Sequence, residues 1–291
     1  MRTPFLPSLV LLLGLAAPVA AQYETAAPKA GSAPSLKKAL KEGRVVIGAT
    51  ITVPNVDTAV AAANAGFDFL WVEMEHGPIS LQSLHEMVLA TRGAAAVPLA
   101  RVPFNERWLA KQVLDMGALG VIFPFTTTRE LAEQAVAACR YPPAGVRGFG
   151  PGLAAGRYGL TSSEYVAFAD ENVLVVVIIE EKAAVANVDA IASVPGVDVV
   201  FIGVNDLSFS MGKRGSRDAE VEEAIAKVLA AARKHGVTPG IVAGGADDIN
   251  KRIAQGFRFF QTGSELSLIR NGAQQLLSQV KREAPATGSA R

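Results

Sequence analysis

Residues 239–281 read PGIVAGGADDINKRIAQGFRFFQTGSELSLIRNGAQQLLSQVK. Two short apolar runs, 239–243 and 257–262, have the length of strands, and each is followed by a segment with helical composition, 246–255 and 265–281. Strands that are apolar on both faces are typical of a parallel sheet covered by helices. This pairing of strand and helix decides the fold, because the same alternation runs through the rest of the chain.

The alternation begins after Ser35 and gives eight strand-like runs and seven clear helical segments. This pattern predicts a (β/α)8 TIM barrel, in which a closed ring of parallel strands is surrounded by helices. A doubly wound open sheet is the alternative, but the strands are evenly spaced and no G-x-G-x-x-G turn follows the first strand. The other predicted strands are 45–52, 67–73, 97–102, 120–124, 174–179 and 197–202, and the other predicted helices are 56–65, 81–90, 106–115, 129–139 and 219–235.

Residues 141–160 depart from this alternation. They read YPPAGVRGFGPGLAAGRYGL, which is rich in glycine and proline and has no periodicity. We expect a long ordered loop here, and such loops are more often functional than idle.

The composition is that of a globular domain with a large core. Half of the 291 residues are apolar and 19% are charged. The formal net charge is +1, which gives no electrostatic reason to expect nucleic acid as a partner. Cys139 lies in a predicted helix and is expected to be a buried apolar residue, since a single cysteine cannot form an internal disulfide.

The first 21 residues have the three parts of a secretory signal. Arg2 lies beside the amino terminus, residues 9–17 read LVLLLGLAA, and small residues at 19–21 fit a signal peptidase site. The apolar run is too short to span a bilayer as a stable helix, so an uncleaved interfacial anchor is the alternative. We therefore expect an exported protein, periplasmic or secreted, with no membrane partner after cleavage. The domains would be a signal at 1–21, a linker at 22–34, a barrel at 35–283 and a tail at 284–291.

Acids follow two neighbouring predicted strands at the end where a TIM barrel has its active site. Glu180 follows strand 174–179, and Asp206 follows strand 197–202. Two carboxylates on adjacent strand ends suit a hard divalent cation such as Mg2+ or Mn2+, with Co2+ as a further candidate. A salt bridge with a nearby base such as Arg101 is the structural alternative.

His76 is the predicted general base, because imidazole titrates near neutral pH and the residue follows the second strand. Glu73 is expected to orient the imidazole and to stabilise its protonated form. If a helical turn begins after the sixth strand, the backbone N–H groups of Gly203, Val204 and Asn205 form an anion site that fits a substrate carboxylate.

Three stretches of sequence carry a resemblance to a known family. Together they resemble the class II pyruvate-dependent aldolases of the HpcH/HpaI family, over nearly all of residues 35–281. The stretches are FD at 67–68 with EHGP at 75–78, RYPPAGVRG at 140–148, and FIG at 201–203 with DLS at 206–208.

The resemblance implies a metal-dependent carbon–carbon lyase that forms or cleaves a 4-hydroxy-2-oxo acid through a pyruvate enolate. Its partners would be a small 2-oxo acid and an aldehyde. Glu180 and Asp206 would hold the metal, and Arg101 would bind the keto oxygen and stabilise the enolate. Asp115 would reach the substrate site of a neighbouring subunit. The subunits would form a homo-hexamer by exchanging the last helix, here 265–281.

Three positions depart from the family pattern. Ile178 lies where family aldolases commonly carry Gln, Glu73 replaces the usual Asp, and Ala155 lies where some members have Arg. The base, the arginine and both metal acids are retained, so enolate chemistry is still expected.

Four other functions remain open from the sequence alone. A class I aldolase would form a Schiff base on Lys182, although this lysine more readily begins the next helix. An acyl-CoA lyase or an oxo-acid decarboxylase would use the same barrel and metal. An exported 2-oxo acid binding protein would need no catalysis, but it would also need no base at His76.

Overall fold

A computed structural model of the chain describes residues 35–214 and 218–280. Eight parallel strands close into a barrel in which each strand pairs with its neighbours in sequence and β1 pairs with β8. The predicted barrel is therefore confirmed, and each predicted strand end lies within two residues of the observed one. The strands are β1 (Val46–Ile51), β2 (Phe69–Glu73), β3 (Val97–Arg101), β4 (Gly120–Phe123), β5 (Leu174–Ile179), β6 (Val199–Ile202), β7 (Thr238–Val242) and β8 (Phe259–Ser264).

Helices cover the outside of the barrel. All seven predicted helices are present, and the described residues also form a helix at Lys182 and one after Gly203, as expected. The helices are α1 (Leu36–Lys41), α2 (Val56–Ala63), α3 (Leu81–Ala90), α4 (Arg107–Asp115), α5 (Arg129–Cys139), α6 (Gly152–Tyr158), α7 (Ser162–Asn172), α8 (Lys182–Ala192), α9 (Val204–Ser210), α10 (Ala219–His235), α11 (Ala246–Gln255) and α12 (Glu265–Ser278).

The prediction of an irregular loop over 141–160 is wrong for its second half, which forms α6. Pro151 begins this helix, and Gly159 ends it in the left-handed conformation with φ 67°. Ala155 is buried inside α6 and contributes to the core rather than to a loop. Cys139 is buried as expected.

Aromatic rings fill the barrel interior below its carboxyl-terminal mouth. Phe69 stacks on Phe259 with ring centroids 4.4 Å apart, and Trp71 lies against Phe201 at 4.9 Å. Gly48 makes room for this cluster, because a Cβ there would lie 2.1 Å from the ring of Phe69. The barrel interior is therefore a packed core, and a ligand site is expected at the mouth.

The signal, the linker and the tail all lie outside the described residues. In the part of the chain that the structure describes, no helix has both the length and the apolar composition required to cross a bilayer.

Candidate active site

A cavity of about 310 Å3 opens at the carboxyl ends of the strands. Eight of the nine residues predicted for the site line it, and Asp115 does not. The eight are Glu73, His76, Arg101, Glu180, Gly203, Val204, Asn205 and Asp206. The topology therefore gathers side chains from β2, β3, β5 and β6 into one place.

Arg101 lies at the centre of the charged groups. Its guanidinium contacts Glu73 Oε2 at 3.3 Å and Glu180 Oε2 at 3.4 Å, and it also forms an ion pair with Glu75. The side chain is buried, and its Nε has no hydrogen-bond partner among the described residues. The salt bridge between Arg101 and Glu180 that the sequence suggested is thus present, but the same arginine also pairs with Glu73 and Glu75.

Glu73 does not hold the imidazole of His76, and this prediction is wrong. Its Oε1 instead accepts the backbone N–H groups of Glu75 at 2.8 Å and His76 at 3.2 Å. Its Oε2 accepts from the indole of Trp71 at 3.1 Å as well as from Arg101. Because β2 ends at Glu73, the chain turns back over this carboxylate, which fixes the loop and the arginine together.

Glu75 occupies the position that we assigned to Glu73. Its Oε2 lies 3.7 Å from His76 Nε2, while the imidazole itself is largely exposed at the cavity mouth. Burial raises the pKa of Glu75 to about 7, although the positive charge of Arg101 opposes the rise. The sequence shows Glu75 beside His76, but spacing alone does not tell which of two nearby acids turns inward.

Glu180 is almost fully buried, and the backbone of Phe125 holds it in place. The N–H of Phe125 donates to Glu180 Oε1 at 2.7 Å, and Phe125 adopts a left-handed conformation with φ 52° to do so. Such a conformation in a bulky residue costs on the order of 1 kcal/mol or more, and it is typical of functional sites. Burial raises the pKa of Glu180, whereas Phe125 and Arg101 lower it.

The donor set fits a divalent cation. Glu73, Glu75 and Glu180 contact Arg101, and Asp206 lines the same cavity, so the acids outnumber the base and a further positive charge would stabilise them. Gly203 lets this arrangement form, because a Cβ there would lie 3.1 Å from Glu180 Oε2. Within the described residues, no group of three or more His, Cys, Asp or Glu is arranged to hold a metal ion. If Glu180 and Asp206 held an ion, its other coordination positions would be left for water and substrate.

α9 begins directly at this acid pair. Val204, Asn205 and Asp206 form its first turn, where backbone N–H groups lack partners within a helix. Asp206 is exposed toward the cavity, and Gly203 precedes the helix. The expected helical turn is thus present, and its free N–H groups lie on the cavity wall beside Glu180.

Asp115 lies away from the cavity, at the end of α4. Its carboxylate is buried and pairs with Lys111 at 2.7 Å and with Arg147 at 3.0 Å. The guanidinium of Arg147 also lies 4.5 Å from the ring centre of Tyr141. Within one subunit, Asp115 therefore has a structural environment and does not contact the other site residues.

Two further cavities are larger, but they do not gather catalytic groups. One, of about 500 Å3, is lined by Arg107, Tyr141, Arg147 and apolar residues. The other, of about 400 Å3, lies between α10 and α11. We place the active site at the barrel mouth because acids, an arginine and a histidine converge only there among these three cavities.

Comparisons with known proteins identify the family of this chain. The family model described as HpcH/HpaI aldolase/citrate lyase matches residues 50–272. The 5-keto-4-deoxy-D-glucarate aldolase of Shigella dysenteriae serotype 1 is 36% identical over 247 residues, which are 84% of this chain and 96% of that protein.

Two solved structures are similar over most of their length. An HpcH/HpaI aldolase/citrate lyase family protein from Burkholderia cenocepacia J2315 superposes with a TM-score of 0.79 and 32% identity, covering 85% of this chain and 99% of that one. The citrate synthase SbnG superposes with a TM-score of 0.75 and 30% identity, covering 84% and 96%.

Proposed function

The chain belongs to the HpcH/HpaI aldolase/citrate lyase family and is a carbon–carbon lyase, and we propose that it forms and cleaves 4-hydroxy-2-oxo acids through a pyruvate enolate at the barrel mouth. The observation that carries this proposal is the position of Arg101, which lies among three buried acids in a cavity that His76 and Asp206 also line. A binding protein would need neither this excess of buried acids nor a base.

The first substrate to test is 5-keto-4-deoxy-D-glucarate, since curated relatives at 36% identity are named for it. Cleavage would break the bond between its deoxy carbon and the adjacent carbinol carbon. The hydroxyl proton leaves, the carbinol carbon becomes an aldehyde, and the electron pair of the broken bond enters the enolate of pyruvate. The second product is 2-hydroxy-3-oxopropanoate.

The proposed proton acceptor is Nε2 of His76, which is accessible from the cavity mouth. Glu75 lies beside it, and the ionised form of this carboxyl group favours the imidazolium that forms when the proton is taken up. The same nitrogen returns the proton to the methylene carbon of the enolate and so completes pyruvate. Imidazole suits both steps because one ring nitrogen can accept a proton and then donate it again.

Arg101 supplies fixed positive charge where the enolate oxygen develops, and its buried position strengthens that interaction. The first-turn N–H groups of α9 would bind the carboxylate of the 2-oxo acid. Glu180 and Asp206 would hold the divalent metal ion on which aldolases of this family generally depend, with Mg2+ or Mn2+ as the expected ions. When bound, such an ion acts as a Lewis acid toward the keto group.

The test does not require knowledge of the acceptor aldehyde. The protein is incubated with pyruvate and Mg2+ or Mn2+ in D2O, and loss of the methyl proton signal is followed by NMR with and without EDTA. We expect exchange that EDTA abolishes. Absence of exchange with either metal would rule out a pyruvate enolate and would favour binding without catalysis.

The assembly we propose is a homo-hexamer that exchanges α12 between subunits. This helix buries only Glu265 within its own subunit, while Leu266, Ile269 and Leu276 are each more than half exposed. Several large exposed apolar side chains on one helix favour an interaction site. Light scattering at working concentration tests the proposal, and a monomer would contradict it.

Export to the periplasm or the medium is proposed from residues 1–21 alone. Their charged start, apolar run and small residues support a cleaved signal. Mass spectrometry of the protein recovered from a periplasmic fraction should show a new amino terminus at Gln22, and an intact Met1 in the cytoplasmic fraction alone would contradict export.

A further inference from the structure

The active-site cavity has a second wall that carries no charge. The charged residues described above come from β2, β3, β5 and β6, whereas this second wall comes from β1 and β8, which pair with each other. We call it the neutral wall, and it consists of Thr50, Thr52, Gln261 and Ser264. The cavity floor between the walls is apolar and includes Ile178, Phe201 and Val242.

The side-chain amide nitrogen of Gln261 is hydrogen-bonded within the protein. Its Nε2 donates to the hydroxyl of Thr50, which in turn donates to the carbonyl of Thr262 at 3.2 Å. This chain of donors fixes the orientation of the carboxamide, because the Thr50 hydroxyl proton is already used. Among the described residues none donates to Gln261 Oε1, so this oxygen remains an acceptor on a side chain that lines the cavity.

Glu265 fixes the rest of the neutral wall. Its Oε1 accepts from Thr52 N at 2.8 Å, from Thr52 Oγ1 at 2.9 Å and from Val53 N at 2.8 Å. Ser264 caps α12 by accepting from Ser267 N at 3.3 Å, which leaves its hydroxyl proton free to be donated. The wall is therefore a preorganised set of neutral donors and acceptors.

We infer that the neutral wall binds the hydroxyl groups of the aldehyde half of the substrate, and that Gln261 determines the preference for hydroxylated over apolar aldehydes. This inference rests on the proposed function. The enolate half requires Arg101, the acid pair and the N–H groups of α9, all of which lie on the charged side. The remaining atoms of the substrate then face β1 and β8. A neutral amide matches a hydroxyl, which both donates and accepts.

The experiment compares two aldehydes that differ by replacement of a hydroxyl with a methyl group. Condensation with saturating pyruvate is measured for glycolaldehyde and for propionaldehyde, and the ratio of their kcat/KM values is obtained for the wild type and for Gln261→Met. The methionine keeps the length of the side chain but loses the acceptor. We expect the ratio to fall roughly tenfold, mainly through a higher KM for glycolaldehyde.

Val242→Ala is the matched control, because Val242 lies beside Gln261 in the β7–β8 register and lines the same cavity without making a hydrogen bond. It should change the rates with both aldehydes alike and leave the ratio intact. If Gln261→Met does not fold, Gln261→Asn, which moves the acceptor back by one methylene, should lower the ratio in the same direction.

The outcomes separate this inference from the proposed function. In one outcome, the wild-type protein exchanges pyruvate protons while Gln261→Met keeps its kcat/KM ratio within about twofold of wild type. That result would overturn the role of Gln261 and leave the proposed aldolase activity supported. Absence of pyruvate exchange by the wild-type protein would overturn both. An equal fall of the ratio in Val242→Ala would show that cavity shape rather than the amide sets the preference, and it too would overturn the inference.

Discussion

Glu73 accepts the backbone N–H of His76 at 3.2 Å, so its carboxylate fixes the loop that carries the imidazole and not the imidazole ring. The other oxygen of the same carboxylate holds Arg101 at 3.3 Å. One buried acid thus sets the relative positions of the proposed base and of the cation that would stabilise the enolate. Because Glu73 acts through the loop and Arg101 and not on the substrate itself, it is a positioning residue.

Replacing Glu73 with Gln should slow pyruvate exchange by about 10- to 100-fold, the usual effect of losing such a supporting contact. The amide can still accept from the loop, but its NH2 group would face two donors, the indole of Trp71 and the guanidinium of Arg101. The rate of pyruvate exchange should be lower than in wild type at every pH, and the shape of its pH profile should not change. Trp71→Phe removes a single donor and should have a smaller effect, and an equal or larger loss in Trp71→Phe would contradict the positioning role.

Replacing Glu180 with Gln should weaken binding of Mn2+ by about tenfold or more, because one negative charge leaves the site. The amide oxygen can still accept from Phe125 N–H, so the fold should persist. Calorimetric titration with Mn2+ measures binding independently of activity. Glu181→Gln is the matched control, since this neighbouring acid makes no cap hydrogen bond at α8. Equal affinities in Glu180→Gln and wild type would remove Glu180 from the metal site.

Most of the barrel is predictable from local sequence, because most strands are nearly continuous apolar runs and most helices show apolar periodicity. α7 shows what such patterns miss. Its composition is polar and weakly periodic, but Thr161 and Glu164 form a capping box, which is a signal that the sequence does contain. α6 has only a weak signal, Pro151 before it and Gly159 after it, and its glycine-rich residues form a helix through packing of Ala154 and Ala155 in the core.

The composition of the site is also largely predictable, because barrel topology brings strand ends together. The orientation of its acids is not. Glu73 and Glu75 both follow or end β2, and only the turn of the chain after the strand decides which of them faces His76. The contribution of Phe125 cannot be found from sequence, since it acts through a backbone N–H in a strained conformation. Gln261 was not predicted as a site residue, although a polar residue directly after the buried Phe259 and Phe260 is a visible signal.

Stability should depend on Glu222 at acidic pH. Arg252 donates to both oxygens of this carboxylate, at 2.6 and 2.9 Å, and lowers its pKa below the usual value of 4.5. A carboxylate whose pKa is lower in the folded state contributes stability above its unfolded pKa, and the contribution is lost as the pH falls through the folded value. The free energy of unfolding, measured with urea at pH 7 and below pH 4, should therefore fall less in Glu222→Gln than in wild type.

The expected difference between these two proteins is only about 0.5 kcal/mol, because the Glu222 side chain is partly exposed and solvent screens the pair. Glu223→Gln is the control, since Glu223 is exposed on the same helix and forms no ion pair among the described residues. Its pH dependence should equal that of wild type. A Glu222→Gln protein that loses as much stability as wild type on acidification would show that the ion pair with Arg252 contributes nothing.

α12 offers the sharpest test of assembly. Ile269 and Leu276 lie seven residues apart on one helical face and are 63% and 65% exposed in the isolated subunit. Placing Glu at both positions would bury two unpaired charges in any exchanged interface. The free-energy cost of burying them exceeds the stabilisation from the remaining apolar contacts. We expect light scattering to show smaller species with circular dichroism unchanged, because neither side chain contributes to the barrel core. Gln274→Glu adds a charge to the same helix at an exposed polar position and should retain the wild-type mass. If the double variant also retains it, α12 does not mediate assembly.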